Sequence, residues 1–207
     1  TQAVLQIPLG LLSDKIGRGP VIVGGLVVFI IGSIIAANAD SITGLIIGRA
    51  VQGAGAIAST LMALVSDLTS EENRTKSMAA IGASIGLSFM LAMILGPAIS
   101  TAMGLSGIFW VTAVLGLIGI FVFLVAVPRT ISVKRNRETL TDVRQIGRLF
   151  YAPNLWRLNF GIFTLHLVLM AGFVVIPTIL TEEMGISGDN LWWVYLLLIG
   201  GGFFTML

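Results

Sequence analysis

Long apolar runs separated by short polar loops dominate the chain. A helix needs about 20 apolar residues to cross the hydrocarbon core of a bilayer. Five runs approach or exceed that length, and they occupy residues 20–38, 43–66, 77–100, 105–127 and 155–180. Two shorter apolar runs, 1–12 and 191–207, adjoin the ends of the sequence. The pattern predicts an all-α, polytopic membrane bundle, and we expect it to be an internal piece that is incomplete at both ends.

The composition supports a lipid-facing protein and excludes several kinds of site. Charged residues make up 11% of the chain, against about 25% in a soluble domain, and the mean hydropathy is +1.00. Cysteine is absent and there is one histidine, which rules out thiolate and multi-histidine metal sites. The net charge of +2 is too small for a nucleic-acid-binding protein. We expect no cofactor, no metal and no nucleic-acid partner.

The basic residues are concentrated in every second loop. Eleven of the twelve Lys and Arg residues lie in three segments, 13–19, 67–76 and 128–157. The intervening loops hold none. Because cytoplasmic loops of membrane proteins carry an excess of Lys and Arg, we expect these three segments to face the cytoplasm.

Residues 128–154 form a long polar segment between two spans. Four apolar residues recur there at helical spacing with two arginines beside them: Val143, Ile146, Leu149, Phe150, Arg144 and Arg148. This pattern is typical of a basic amphipathic helix on a membrane surface. We interpret the segment as a linker between two helical bundles; a regulatory or lipid-binding surface is the alternative.

Small residues four positions apart occur within the spans. They are the pairs Gly44 and Gly48, Gly82 and Gly86, and Ala92 and Gly96. Such pairs let the backbones of membrane helices approach closely. They therefore imply a packed bundle of helices.

The first basic loop contains a recurrent glycine and charge pattern. Its residues are Gly10, Asp14, Lys15, Gly17 and Arg18. A carboxylate can cap the amino terminus of a neighbouring helix, whose free N–H groups favour an anion, so Asp14 is a candidate for that role. The loop resembles the signature loop between the second and third helices of the major facilitator superfamily, although Gly19 replaces a further basic residue. The resemblance implies a cytoplasmic charge network in which Asp67 pairs with Arg18; two separately solvated charges are the alternative.

Arg49 is the one Lys or Arg residue in the interior of an apolar span. An ionisable side chain at that depth costs roughly 3 kcal/mol or more unless it is paired, which points to a functional role. A structural hydrogen-bonding role is the alternative. Gln52 and Gly53 share its helix face, and we expect the glycine to give a neighbouring helix room. The stretch from Arg49 to Gly53 resembles the fourth-helix motif of proton-coupled members of the superfamily.

A third, partial resemblance lies in the following span. Gly96 and Pro97 occupy the place of the Gly-Pro pair in the superfamily's antiporter signature, while Ala92 and 100–101 replace its other glycines. Proline removes one backbone donor and kinks or softens a helix. An ordinary helix kink is therefore the alternative interpretation.

His166 and Ser84 are polar residues inside spans. They are candidates for proton transfer and for nucleophilic catalysis, respectively. An imidazole exchanges protons near neutral pH, so His166 is the candidate proton carrier of this sequence; a hydrogen-bonded packing residue is the alternative. Ser84 lies within a G-x-S-x-G match at 82–86. A nucleophile elbow requires a strand before the serine, and none is predicted. An intramembrane serine protease and a non-transporting membrane scaffold are the competing hypotheses.

Together the motifs resemble the proton-dependent, drug-efflux-like branch of the major facilitator superfamily. The resemblance implies that 1–127 forms helices two to six of the amino-terminal bundle, that 128–154 is the cytoplasmic linker, and that 155–207 forms helices seven and eight. It implies a monomeric secondary transporter of the bacterial inner membrane that exports a small amphipathic solute in exchange for protons. Its partners are that solute, protons and membrane lipid, and no enzymatic activity is expected.

Overall fold

A computed structural model describes residues 1–55, 57–127 and 153–186, together with isolated positions at 193, 194, 197 and 201. The three continuous ranges contain six helices: α1 Gln2–Ile16, α2 Arg18–Ala37, α3 Ile42–Ala54, α4 Ala58–Leu68, α5 Glu71–Ala126 and α6 Pro153–Glu182. The described residues contain no strand, in agreement with the predicted all-α class. The chain divides into two units, Thr1–Asn136 with α1 to α5 and Arg137–Leu207 with α6.

Four stretches of the described residues are long and apolar enough to cross a membrane: Arg18–Ala37, Ile42–Leu68, Glu71–Ala126 and Pro153–Glu182. At a rise of about 1.5 Å per residue, the 56 residues of α5 have a helical length of about 84 Å. That length far exceeds the hydrocarbon core of about 30 Å. α5 is interrupted at Gly104, whose φ of 69° and ψ of −174° are not helical. It therefore accounts for two predicted spans, 77–100 and 105–127.

The second half of α5 packs antiparallel along α2. The Ser106 hydroxyl donates a hydrogen bond to the Ala37 carbonyl at the end of α2. Further along, Gly116 packs against Ile30, and the last turns of α5 lie beside Gly19 at the start of α2. This register brings the end of α5 close to the first basic loop and the break within α5 close to the acidic loop after α2. The alternating loop charges predict the same arrangement.

Glycines bring the backbones of α2 and α3 into direct contact. A Cβ atom added to Gly48 would lie 2.6 Å from the backbone N of Ala36, and one added to Gly32 would lie 2.5 Å from the Cα of Gln52. Neither distance leaves space for a side chain in a close-packed interior. The close approach that small residues permit is therefore present at Gly48, because both helices offer glycine where they meet.

Gly82 and Gly96, in the first half of α5, show no such close approach to a described residue. No atom of the described residues lies within 4 Å of a Cβ added to either glycine, apart from the helix itself. Gly44 serves a different purpose, since its N–H donates to Ser41 Oγ at 3.1 Å and Ser41 thereby caps α3. Small residues permit close packing, but a contact forms only where another helix is present.

The second complete predicted span is interrupted. α3 ends at Ala54 and α4 begins at Ala58. A Cβ added to Gly55 would overlap the carbonyl oxygen of Gly25 and lie 2.9 Å from the backbone N of Phe29. The chain leaves the helical path where it meets the backbone of α2, and glycine on both sides allows that contact.

Of the remaining predicted segments, one is observed as a helix and two lie largely outside the described residues. α6 contains the whole of the predicted span 155–180. The predicted amphipathic helix of the linker lies within 128–152, outside the described residues. The predicted run 191–207 also lies outside them, apart from the isolated positions. The linker and the domain boundaries therefore stay predictions.

Candidate functional site

The first basic loop is a tight turn between α1 and α2 that holds an ion pair. Gly17 has a φ of 102°, a left-handed conformation that favours glycine. The turn brings Arg18 of α2 against Asp14 of α1, with 2.5 Å between Arg18 Nη1 and Asp14 Oδ1. Asp14 therefore pairs with Arg18, and α2 to α5 receive no capping hydrogen bond from it.

Arg18 also connects the start of α2 to the end of α4. Its Nε donates to Asp67 Oδ2 at 3.1 Å, and its Nη1 donates to Ser13 Oγ at 2.6 Å. Ser13 is buried, and its hydroxyl donates to the Gly10 carbonyl at 2.6 Å. Arg18 thus bridges two carboxylates from different helices. We call Asp14, Arg18 and Asp67 the charge triad, because their pairing joins α1, α2 and α4 at this end.

Lys15 and Gly10 are the other residues of this loop that the sequence singled out. Lys15 lies in the last turn of α1, where the helix dipole favours a cation, and it forms no ion pair with a described residue. A Cβ added to Gly10 would lie 3.6 Å from Ser59 Oγ, an ordinary contact. The Ser59 hydroxyl donates to the Gln6 carbonyl at 3.1 Å, so α1 and α4 are in contact here.

Arg49 begins a hydrogen-bonded relay that runs from α3 to α2. Its Nη1 donates to Gln52 Oε1 at 2.5 Å. The Gln52 Nε2 donates to Ser33 Oγ at 2.8 Å, and the Ser33 hydroxyl donates to the Phe29 carbonyl at 2.8 Å. Gln52 and Ser33 are 4% and 0% exposed. Because both ends of the Gln52 amide are bonded, its orientation is defined and it holds the guanidinium in place.

Phe109, from the second half of α5, is a further partner of Arg49. Arg49 Cζ lies 5.9 Å from the centroid of the Phe109 ring, within the range of a cation–π interaction. Phe109 is itself buried and packs with Ala36 and Ala37. No carboxylate among the described residues lies within ion-pair distance of Arg49. An amide and an aromatic ring are therefore the observed partners of this cation.

A cavity of about 570 Å³ lies beside Arg49 and Gln52. Apolar side chains from α2, α4 and α5 form much of its wall: Leu26, Phe29, Leu61, Met62, Ile81 and Ile85. The break between α3 and α4 also borders the cavity, through Gly55 and Ile57. A cavity of this size, with an apolar wall and a few polar groups, is typical of a small-molecule site.

Gly53 lines this cavity but is not where two helix backbones come closest. A Cβ added to Gly53 would lie 3.4 Å from Thr1 Cβ and 3.5 Å from the Gln2 backbone N, which is close to ordinary van der Waals contact. The tight approach occurs at Gly55, against the backbone of α2. The position at which a neighbouring helix needs the space of a glycine is therefore Gly55, two residues after Gly53.

His166 and Ser84 both bond to their own helices. His166 Nδ1 lies 3.0 Å from the Ile162 carbonyl oxygen within α6, and the residue is exposed. The Ser84 hydroxyl donates to the Ala80 carbonyl at 2.8 Å within the helical part of α5. A nucleophile elbow needs a strand-to-helix turn, so Ser84 lacks the required backbone.

α5 remains helical through Gly96 and Pro97. The Thr101 hydroxyl donates to the Pro97 carbonyl at 2.9 Å. The non-helical residue of α5 is Gly104, so the break lies seven positions after the proline. Glycine adopts a positive φ at little cost, whereas the helix loses one backbone donor at the proline and continues.

The family comparison agrees with the all-helical fold. The Major Facilitator Superfamily domain matches residues 1–207. The chain belongs to the Major Facilitator Superfamily. The resemblance that the sequence motifs indicated is thereby confirmed at the level of the superfamily.

Named bacterial relatives from the superfamily cover nearly all of the chain. The inner membrane transport protein YajR of Escherichia coli K12 is 51% identical over 196 residues, which are 95% of this chain and 43% of YajR. The uncharacterized transporter BU466 of Buchnera aphidicola is 42% identical over 207 residues, 100% of this chain and 53% of that protein. The multidrug resistance protein MdtM of E. coli O157:H7 is 28% identical over 209 residues, 95% of this chain and 48% of MdtM. The chain thus spans about half the length of these relatives.

Membership of the superfamily decides the class of protein. The named relatives are transporters and not enzymes, which agrees with the helical backbone around Ser84. Apolar helices together with an inner-membrane relative assign the chain to the bacterial inner membrane as a multi-pass protein. Within the superfamily, the 51% identity to YajR shows that the chain is similar to YajR-type bacterial transporters.

Three residues that contact the charged side chains belong to none of the sequence motifs: Ser13, Ser33 and Phe109. Ser33 had a detectable signal, because a hydroxyl in the middle of an apolar span needs a hydrogen-bond partner. Ser13 had a weaker signal, since it stands next to Asp14 in the loop pattern. Phe109 is one of 11 phenylalanines in a lipid-facing sequence, and nothing in its local pattern distinguishes it.

Proposed function

We propose that the whole protein is a proton-coupled secondary transporter that exports a small amphipathic solute by alternating access. In this proposal 1–127 and 155–207 belong to two helical bundles, and the segment 128–154 joins them in the cytoplasm. The boundary between the two structural units, after Asn136, falls within that segment and supports the arrangement. The transporter works as a monomer, and its partners are the solute, protons and membrane lipid.

The cavity beside Arg49 is the observation that carries this proposal. Its volume of about 570 Å³ suits a small organic molecule. The apolar wall suits the hydrophobic part of an amphipathic solute, and Arg49 and Gln52 supply polar groups at its edge. The relative MdtM is named a multidrug resistance protein, which supports export as the direction of transport.

Reconstitution of the full-length protein tests the proposal. Proteoliposomes that contain a pH indicator and carry an imposed pH gradient are supplied with a panel of amphipathic solutes. We expect proton movement that begins when a transported solute is added and that is absent from liposomes without protein. A membrane scaffold moves no protons with any solute, and that result would contradict the proposal.

Ser84→Ala separates the transporter from an intramembrane serine protease. The Ser84 hydroxyl bonds to its own helix, so its loss should leave solute-driven proton movement unchanged. Loss of all activity in this variant, together with hydrolysis of a membrane peptide by the wild type, would favour the protease.

Asp14→Asn is expected to weaken the charge triad and to lower transport without lowering expression. We propose that the triad is a cytoplasmic gate that stabilises the outward-open state, because it joins the cytoplasmic ends of three helices. Asparagine keeps the shape of the side chain but loses the charge that pairs with Arg18. Since the carboxylates are partly exposed, we expect a shift of about fivefold to tenfold toward the inward-open state.

Accessibility labelling measures this shift. Met62→Cys, in a background without other cysteines, gives a thiol on the cavity wall, and Asp14→Asn should increase its labelling from the cytoplasmic side by an impermeant reagent. Lys15→Gln is the matched control, because Lys15 is in the same loop but pairs with no described residue. Unchanged labelling in Asp14→Asn would show that the triad is not a gate.

His166→Gln is expected to uncouple solute transport from the pH gradient while the protein still folds. Glutamine can replace the hydrogen bond to the Ile162 carbonyl but cannot carry a proton. The measurement is solute-driven proton flux at about pH 6 and about pH 8. Thr164→Val is the matched control, because the Thr164 hydroxyl makes the same kind of bond to its own helix. Equal flux and equal pH dependence in His166→Gln would make His166 a packing residue.

A further inference from the structure

Arg49 presents unused hydrogen-bond donors at the edge of the cavity. A guanidinium carries five N–H donors, and the observed hydrogen bond to Gln52 uses one of them. The guanidinium also lies near the Phe109 ring, and this contact uses none of its N–H groups. The residue is exposed, and no carboxylate in residues 1–55, 57–127 or 153–186 forms an ion pair with it.

The described wall of the cavity contains no acidic residue to balance this charge. Gln2 and Gln52 are its other polar side chains, and both are neutral. A cation in an apolar, weakly screening environment attracts anions and repels cations much more strongly than it does in water. The described part of the wall therefore favours a ligand with a negative charge.

The relay behind Arg49 prepares the guanidinium for a planar anion. Ser33 holds the Gln52 amide, and the amide holds Nη1 of Arg49. The arginine therefore loses less rotational freedom when a ligand binds, and its planar fork favours bidentate pairing with a carboxylate or a similar oxyanion.

We propose that the solute is an anionic amphipathic molecule, whose oxyanion pairs with Arg49 and whose apolar part contacts the wall near Leu61 and Ile85. This inference rests on the proposed transport function and specifies the chemical class of its substrate. A bound anionic lipid headgroup offers the same oxyanion chemistry, so the experiment distinguishes a lipid from a dissolved solute.

Three dansyl compounds provide matched probes that differ mainly in charge. Dansylglycine is an anion at neutral pH, dansylamide is neutral and dansylcadaverine is a cation. Their fluorescence reports binding to the full-length protein in nanodiscs of zwitterionic lipid. We expect the wild type to bind dansylglycine about tenfold or more tightly than dansylcadaverine, the ratio that a charge-assisted hydrogen bond provides.

Arg49→Gln and Arg49→Lys test whether Arg49 causes the preference. Both variants are first shown to be folded by size-exclusion chromatography. Arg49→Gln should bring the affinities for the anion and the cation within about twofold of each other, whereas Arg49→Lys should keep part of the preference because it keeps the charge. Equal binding of anion and cation by the wild type, or a preference that survives in Arg49→Gln, would overturn the inference.

Two further measurements separate the remaining explanations. Phosphatidylglycerol in the nanodiscs that displaces dansylglycine would assign the site to a lipid headgroup and overturn a dissolved solute as its occupant. Lack of saturable dansylglycine binding would likewise overturn the inference. The proposed transport function fails on a different result, namely the absence of proton movement with every solute in the proteoliposome assay.

Discussion

Arg49→Ala is expected to abolish solute-driven proton movement by the full-length transporter, whereas Arg49→Lys should keep about a tenth of the wild-type rate. Lysine keeps the positive charge but lacks the planar fork that meets Gln52 Oε1. Alanine removes the charge. It also leaves the buried Gln52 Oε1 without its hydrogen-bond donor, which destabilises the protein further. Proton flux into proteoliposomes with equal amounts of reconstituted protein measures the difference among the three proteins.

Arg74→Ala is the control for a general effect of removing an arginine. Arg74 is exposed in the first turns of α5 and forms no ion pair with a described residue. Its loss should therefore leave the flux at the wild-type level. Equal flux in Arg49→Ala and the wild type would mean that Arg49 has the structural hydrogen-bonding role that its sequence also allows.

Gly32→Ala is expected to destabilise the protein by about 1–3 kcal/mol, the usual cost of overpacking, and to lower transport as well. The added Cβ would lie 2.5 Å from the Cα and 2.8 Å from the Cβ of Gln52. A backbone atom cannot turn aside as a flexible side chain can, so α2 and α3 have to separate. Separation stretches the Gln52 to Ser33 hydrogen bond, 2.8 Å long, that supports Arg49.

Gly24→Ala is the matched control on the same helix. No atom of the described residues lies within 4 Å of a Cβ added to Gly24, apart from α2 itself, and alanine has a higher helix propensity than glycine. The fraction of protein that stays monodisperse after heating in detergent measures stability, and proton flux measures function. Wild-type stability and flux in Gly32→Ala would contradict the close contact between α2 and α3.

The membrane spans could be predicted from the sequence because they depend on consecutive residues. The apolar runs 20–38 and 155–180 correspond closely to α2 and α6, since a helix that crosses lipid must be apolar throughout its length. The loop from Gly10 to Arg18 likewise indicated the superfamily, because a charged turn between two helices is a local feature.

The candidate site could be predicted only in part. Arg49 and Gln52 are conspicuous because a cation in an apolar span requires hydrogen-bonding partners. Ser33 is 19 positions from Gln52, and its role depends on the face that α2 turns toward α3. Phe109 is still more remote in sequence, and it reaches Arg49 because the second half of α5 folds back along α2.

The sequence by itself determined the helical class, the location of the apolar spans and the superfamily. Only the tertiary structure decided that Gly48 lies at a contact between described helices whereas Gly82 touches no other described helix, and that the second span breaks beside Gly55. Crossing a membrane depends on the composition of consecutive residues and the thickness of the lipid. Close contacts and broken helices depend on which faces of distant helices meet, and a local pattern of small residues does not specify that choice.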